Sequence, residues 1–226
     1  MPDYRLGKDG PSIRPDVGSG AWCSAPQTAN LLVYKRALEM AMDTVALSVS
    51  IGTDAVRHMQ HYMNNTGRDL NLDMPALLGK SAQLRQQMAE EVEAAKRFAE
   101  TLPPGEHEFN SSRLGHGYFR QSVDRNLFFA IGGYSYWGSG RVRKTVSPQG
   151  QMLQLRFEFH FYDRYNWDGG KKVQIAGVTV TDAFMQQFHR QCYAREYDVK
   201  GSIAQDLSWQ AKPVAPAPNP FASLSQ

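Results

Sequence analysis

Cysteine is nearly absent from this chain: 2 of 226 residues, Cys23 and Cys192. That excludes a small disulfide scaffold. For two thiols so far apart in a chain of this size the expected state is reduced, although sequence cannot say whether their side chains meet. A strong charge of either sign is also missing. The 25 basic and 22 acidic side chains leave a net +3, which does not mark a dedicated nucleic-acid binder, and nucleic acid is not favoured as a partner. No long apolar run exists. The least polar stretch, residues 45–56, is broken by Ser48, Ser50, Gly52, Thr53 and Asp54 and is too short to span a bilayer. The opening residues, Met1-Pro2-Asp3-Tyr4-Arg5, lack the basic start and apolar core of a secretory signal, so the reading is synthesis in the cytoplasm and export by a route that ignores signal peptides. Internal repeats are not seen.

What is present is uneven. Residues 1–105 carry a net charge of −1 and residues 106–226 a net +4, and 13 of the 25 aromatic residues fall between positions 118 and 167. The chain therefore reads as two unlike parts. Residues 1–27 have four prolines, four glycines and little periodicity, an irregular leader. Residues 28–105 read as helical. Thr28 is a candidate N-cap for a pattern running through Leu38 and Met42 to Val49, and Thr53 or Asp54 can cap a second piece reaching Met63. A short helix is expected at Asp73 with Pro75 in its first turn, and a long amphipathic one over residues 81–102, ended by Pro103-Pro104-Gly105.

After residue 105 the period changes. The short apolar run 127–131 reads as a strand, and residues 134–146 as a longer one with a Gly-rich irregularity at Gly138-Ser139-Gly140. The clearest alternation has Leu153, Leu155, Phe157, Phe159 and Phe161 on one side of a strand. Two short strands follow near Val173–Ile175 and 178–180. A helix then starts at Thr181 or Asp182, with Phe184, Met185, Phe188 and Cys192 inward. From 211 onward the tail is too rich in proline to pack. The fold class predicted is α+β: a helical part packed on a curved antiparallel sheet, residues 106–210, with a helix towards the C-terminus, the two parts forming one globular unit.

Chemistry concentrates at the end of the alternating strand. If its parity continues past Phe161, Asp163 points to the same face as five apolar side chains, where an isolated carboxylate costs several kcal/mol and must be paired, hydrogen-bonded or protonated. Arg164, Tyr165, Asn166 and Asp168 lie within one turn of it. Asp163 is equally consistent with capping the turn, with Arg164 pairing across strands. His189-Arg190 follows on the next helix, an imidazole able to move protons and a guanidinium able to hold phosphate. Together Asp163, Tyr165, Asp168, His189 and Arg190 suit phosphoester hydrolysis, with or without a divalent metal ion; as isolated features they also read as turn and helix surface. Weaker signals are set aside. His58-x-x-His61 has the wrong spacing for a zinc pair, Gly169-Gly170-Lys171-Lys172 is no phosphate loop, and Gly138-x-Gly140 is no dinucleotide fingerprint. Arg113, Arg120, Arg125, Arg141, Arg143 and Lys144, interleaved with Tyr118, Phe119, Tyr136 and Trp137, are either a surface for an anionic partner or the two faces of an amphipathic sheet.

The block from Phe161 to Lys171, the segment Thr181-Asp-Ala-Phe-Met-Gln-Gln-Phe-His-Arg190 and the segment Glu196-Tyr-Asp-Val-Lys-Gly201 resemble cargo domains of bacterial type VI secretion effectors, over roughly residues 55–209. That resemblance implies an antibacterial toxin, delivery with a secretion spike or tube component, and a cognate immunity protein. A thinner resemblance is to colicin M-type bacteriocins, which hydrolyse the undecaprenyl-linked precursor lipid II and carry Asp-x-Tyr-Asp after a sheet hairpin, with His-Arg shortly beyond. Asp163-Arg164-Tyr165 matches the first part. Asn166 stands at the second Asp, Asp168 lies two residues on, and His189-Arg190 stands much further along. The resemblance implies hydrolysis of a phosphate ester in a cell-envelope lipid precursor, with Asp163 as base or metal ligand, Tyr165 positioning substrate, His189 as acid or base and Arg190 on phosphate. Two other classes stay open: a membrane-disrupting toxin that refolds residues 37–56 into a bilayer, and an adaptor of the secretion apparatus.

Overall fold

The computed structural model describes residues 3–148, 150–167, 172–175 and 178–211. Among them lie seven helices and an open, curved, mixed sheet of seven strands, an α+β fold. The strands are β1 (Tyr4–Leu6), β2 (Leu70–Asn71), β3 (Gly105–Ser111), β4 (Gly115–Tyr118), β5 (Gly133–Ser147), β6 (Gly150–Tyr165), β7 (Lys172–Ile175), β8 (Val178–Thr181) and β9 (Tyr197–Ala211); the helices are α1 (Ala29–Met42), α2 (Val45–Ile51), α3 (Thr53–Met63), α4 (Met74–Lys80), α5 (Ala82–Thr101), α6 (Arg125–Ala130) and α7 (Asp182–Arg190). Sheet order is β1-β3-β5-β6-β9-β2, with β4 on β5, and β7–β8 forms a separate hairpin. Every pairing is antiparallel except β2 with β9, so the predicted all-antiparallel sheet gains one parallel edge.

Alternation on β6 sets the two faces. Leu153, Leu155, Phe157, Phe159 and Phe161 are all buried, at 0–1% exposure, on the face that α5 covers. β9 lies beside β6 over its whole length, from Gln151↔Ala211 to Tyr165↔Tyr197. Capping fixes where the helices begin: Asp73 accepts from the Ala76 N–H and Ser81 from the Leu84 N–H. Such side chains satisfy amide groups that the first turn leaves bare. At the other end of α5, the buried Lys144 ammonium donates to the carbonyls of Glu100 (2.7 Å) and Leu102 (2.9 Å), a cation at the negative end of the helix dipole.

Three expectations are corrected. Residues 127–130 of the predicted strand lie instead in helix α6, with Ile131 its C-cap, because the Asp124 carboxylate caps the helix through the Leu127 N–H, and a run of five apolar residues does not distinguish the two. The first helical pattern breaks at Asp43, where Thr44 caps α2 with its hydroxyl. Cys23 and Cys192 are joined in a disulfide across 169 positions. The leader has a place in the fold accordingly. Tyr4 to Leu6 extend the sheet along β3, and residues 14–25 cross the surface as a strap. The proline-rich segment beyond Ala211 lies outside the described residues.

Candidate active site

Beyond the start of β5 the last residues of β6 lose their neighbour on that side, since β5 begins at Gly133 while β6 runs on to Tyr165. A cavity of about 450 Å³ opens there. Side chains from both faces of the sheet reach it around this end: Tyr134, Asp163 and Tyr165 from the helix-covered face, and Ser135, Tyr162 and Arg164 from the other. Helices α2 and α3 supply Ile51, Ala55 and Met59, and the strap supplies Arg14, Pro15 and Asp16.

Asp163 stands opposite Val199 on β9 and is half-buried in the cavity wall, on the face its strand parity predicts. Tyr165 also lines the cavity, but it belongs to the core. Its ring stacks on Tyr197 at 5.1 Å and meets His58, Tyr62 and Trp167. Burial first, then the Asp163 charge, push its phenol well above the ordinary range, so it is a neutral wall rather than a titrating group. Arg164 donates to Asp198 at 2.8 Å, and Tyr162 donates to the same carboxylate oxygen at 3.1 Å. The Tyr162 phenol is likewise raised, by burial and then by the Asp198 charge. Asp168 lies outside the described residues.

His189 and Arg190 are not in the cavity wall. His189 Nδ1 accepts from the Glu196 N–H (3.1 Å) and its Nε2 lies 3.1 Å from the Gly20 carbonyl. The first contact requires a bare Nδ1, so Nε2 carries the proton and donates to Gly20. Burial holds this imidazole below its usual range. Arg190 Nε donates to the Ser19 carbonyl at 2.8 Å. Both side chains hold the strap, as do the Cys23 and Ala25 N–H groups, which donate to the carbonyls of His189 and Arg190. The buried Glu196 carboxylate accepts from the Ser19 N–H (2.9 Å) and hydroxyl and from the Trp167 N–H (3.1 Å). Gly18 has φ +55°, and a Cβ there would stand 2.5 Å from Glu196 Oε2, so the strap's approach to Glu196 requires glycine.

Other sequence signals resolve plainly. His58 is buried, Nδ1 has no hydrogen-bond partner among the described residues, and burial lowers its pKa to about 4. The basic-aromatic zone divides between the two faces. Lys144 caps α5, Arg141 and Arg143 pair with Glu108 and Glu106, and Arg125 lies over the Phe129 ring. Among the described residues no three His, Cys, Asp or Glu side chains converge to hold a metal ion. Sequence reasoning missed Tyr162, Ser135 and His116 in the cavity wall, and Asp198 as the carboxylate that holds Tyr162 and Arg164. Asp198 had a signal, the alternation along residues 197–211, but Gly201 and Gln205 interrupt it.

No protein-family description matches the chain, and no curated protein matches it. Similar solved structures include PaeM, a colicin M-like bacteriocin from Pseudomonas aeruginosa, at 14% identity and TM-score 0.35 over 71% of this chain and 53% of that one. They also include the bacteriocin syringacin M from Pseudomonas syringae pv. tomato, at 14% identity and TM-score 0.35 over 70% of this chain and 52% of that one. Its truncated form gives TM-score 0.32 at the same identity, over 70% and 60%. The chain spans little more than half the length of these bacteriocins, and likeness at such scores carries no inference about activity.

Proposed function

We propose that this chain is an antibacterial toxin, delivered as cargo of a type VI-like secretion apparatus, which hydrolyses a phosphate ester of a lipid-linked cell-envelope precursor. The observation that carries this reading is the placement of Asp163 and Arg164, consecutive on β6, in the wall of one cavity. A carboxylate able to take a proton from water, beside a guanidinium able to face phosphate oxygens, is the minimum that phosphoester hydrolysis asks of a protein. Asp163 acts as base, Arg164 takes the phosphate role that the resemblance gave to Arg190, and the Tyr165 ring forms wall. The cavity is large enough for a phosphorylated head group. The partners of this reading are a cognate immunity protein, a spike or tube component and the lipid substrate.

The test is expression in a susceptible host with and without an export signal, the Asp163→Ala variant alongside. Toxicity is expected only after export, with loss of the lipid-linked precursor, and a folded, harmless Asp163→Ala chain. A folded Asp163→Ala chain of full toxicity refutes this site, and a harmless wild type in both compartments favours an adaptor. A second reading, membrane disruption, draws support from the exposed Val33, Met40, Val45 and Val49 on α1 and α2, at 68–81% exposure, although no described helix is long and apolar enough to cross a membrane. Depolarisation without precursor loss would select it.

A further inference from the structure

We infer that the imidazole moving protons in this cavity is His116, a residue from β4, in the place that the sequence pattern assigned to His189. The inference rests on the hydrolase reading above and names the acid that such a reaction needs. Six histidines occur in the chain, and five have another role. His58 is buried in the aromatic core. His61 Nε2 is 2.7 Å from the Arg68 carbonyl, and His107 Nε2 is 2.9 Å from the Pro103 carbonyl. His160 stacks on Trp137 and contacts the Ser139 hydroxyl at 2.8 Å. His189 has both nitrogens committed to the strap and to Glu196. His116 is the one histidine among the residues lining the cavity that also holds Asp163 and Arg164.

The local sequence places it there. In Gly115-His116-Gly117 the two glycines stand opposite Tyr136 and Tyr134 of β5. A Cβ at position 115 would lie 2.4 Å from the Tyr136 ring and one at 117 only 2.2 Å from the Tyr134 ring. Those rings therefore lie flat over β4, and no larger residue than glycine allows it. The strand is thereby seated on β5, with His116 opposite Ser135 and Ser135 opposite Tyr162. His116 Nδ1 is 3.2 Å from the Ser135 hydroxyl, which fixes the ring plane. Nε2 takes no protein partner among the described residues and is left for a ligand. A side chain held at one ring nitrogen and exposed at the other is the arrangement a proton-transfer histidine needs.

In the reaction this completes, Asp163 takes a proton from water as the water oxygen bonds to phosphorus. The phosphorus–oxygen bond to the leaving group breaks, and the leaving oxygen receives the proton from His116 Nε2–H. Asp163 then loses its proton to solvent and His116 regains one, so one water is consumed per ester cleaved and both residues return to their starting states.

The experiment uses the full-length chain with its disulfide intact and two probes: lipid II in detergent micelles and bis(p-nitrophenyl) phosphate. His116→Ala should lower kcat on the lipid probe by about 10²–10⁴-fold, the usual worth of a positioned acid. KM should move by less than about threefold, and added imidazole should restore part of the rate. Ser135→Ala removes the contact that holds the ring, so it should lower kcat by less than His116→Ala does, and the Ser135→Ala/His116→Ala double variant should be rescued by imidazole to the same extent as His116→Ala. A folded His116→Ala chain that cleaves lipid II at the wild-type rate overturns the inference while leaving the hydrolase reading standing. A wild-type chain that cleaves neither probe overturns both.

Discussion

Opening the Cys23–Cys192 bridge should be the most destabilising single chemical change available to this chain. The bridge closes a loop of 169 positions, so in the unfolded ensemble it removes about 17 cal/mol/K of chain entropy, or about 5 kcal/mol at room temperature. That is comparable to the whole stability of many domains. The native structure retains the strap's other ties when the bridge opens: the Cys23 and Ala25 amides on α7, Arg190 on Ser19, and Ser19 on Glu196. The folded state is therefore expected to survive reduction, and the loss to appear mainly through the unfolded state. For a chain of 226 residues about 5 kcal/mol corresponds to a fall in Tm of roughly 10–20 °C. Urea titration of the wild type and of the Cys23→Ser/Cys192→Ser double variant is the assay. The midpoint should fall and the slope m should rise, because an uncrosslinked chain exposes more surface on unfolding. An unchanged m with a loss below about 1 kcal/mol would refute the loop-closure reasoning.

Three further outcomes follow from buried groups. His58 has its folded pKa lowered to about 4 by burial, below the unfolded value of about 6.5. The unfolded chain thus binds the extra proton first, and stability falls as pH drops between these values, by about 3 kcal/mol in total. His58→Leu should flatten the wild-type pH slope of urea stability over that window, and an unaltered slope would count against it. Burial raises the Glu91 carboxyl, which sits with the Tyr4 and Ser111 hydroxyls. Its contribution is present below the ordinary carboxylate pKa and is lost as pH rises, so Glu91→Gln should gain Tm relative to wild type at pH 8 compared with pH 5. Equal shifts at both pH values would rule that out. Gly18→Ala meets Glu196 Oε2 in a left-handed backbone and should cost about 1–3 kcal/mol. Faster amide exchange confined to the strap, near residues 19–25, would report it; protection equal to wild type would show that the strap tolerates a Cβ.

Legibility in the sequence tracked how local each cause is. Asp73, Ser81 and Thr181 each cap a helix through the amide three residues on, and the β6 alternation names its own buried face. The α+β class follows from such signals. Asp163 was reachable because parity carries two residues beyond Phe161. What escaped was set by contacts between distant segments. Glu196 is fixed by Ser19, 177 positions away, and His116 is brought to the cavity only by the register of β4 on β5. His189-Arg190 looked catalytic because a histidine beside an arginine is the same string whether the pair faces a substrate or holds a strap. β9 hid behind Gly201, which Met74 covers so closely that a Cβ there would be 2.5 Å from its sulfur.

The position of β9 in the sheet also has a consequence for synthesis. It is the last described element of the chain, yet it lies between β6 and β2 rather than at an edge. Its Tyr197 and Val199 are fully buried against Tyr165 and Asp163. A nascent chain that has emerged only as far as α7 holds seven helices and most of the strands, but one whole edge of β6 is bare, and Tyr165 and His58 lack the Tyr197 ring they pack on. Pairings of this sequence separation form slowly and late. The cavity wall at Asp163 is therefore completed only after Tyr197 and Val199, near the end of the described chain, have left the ribosome.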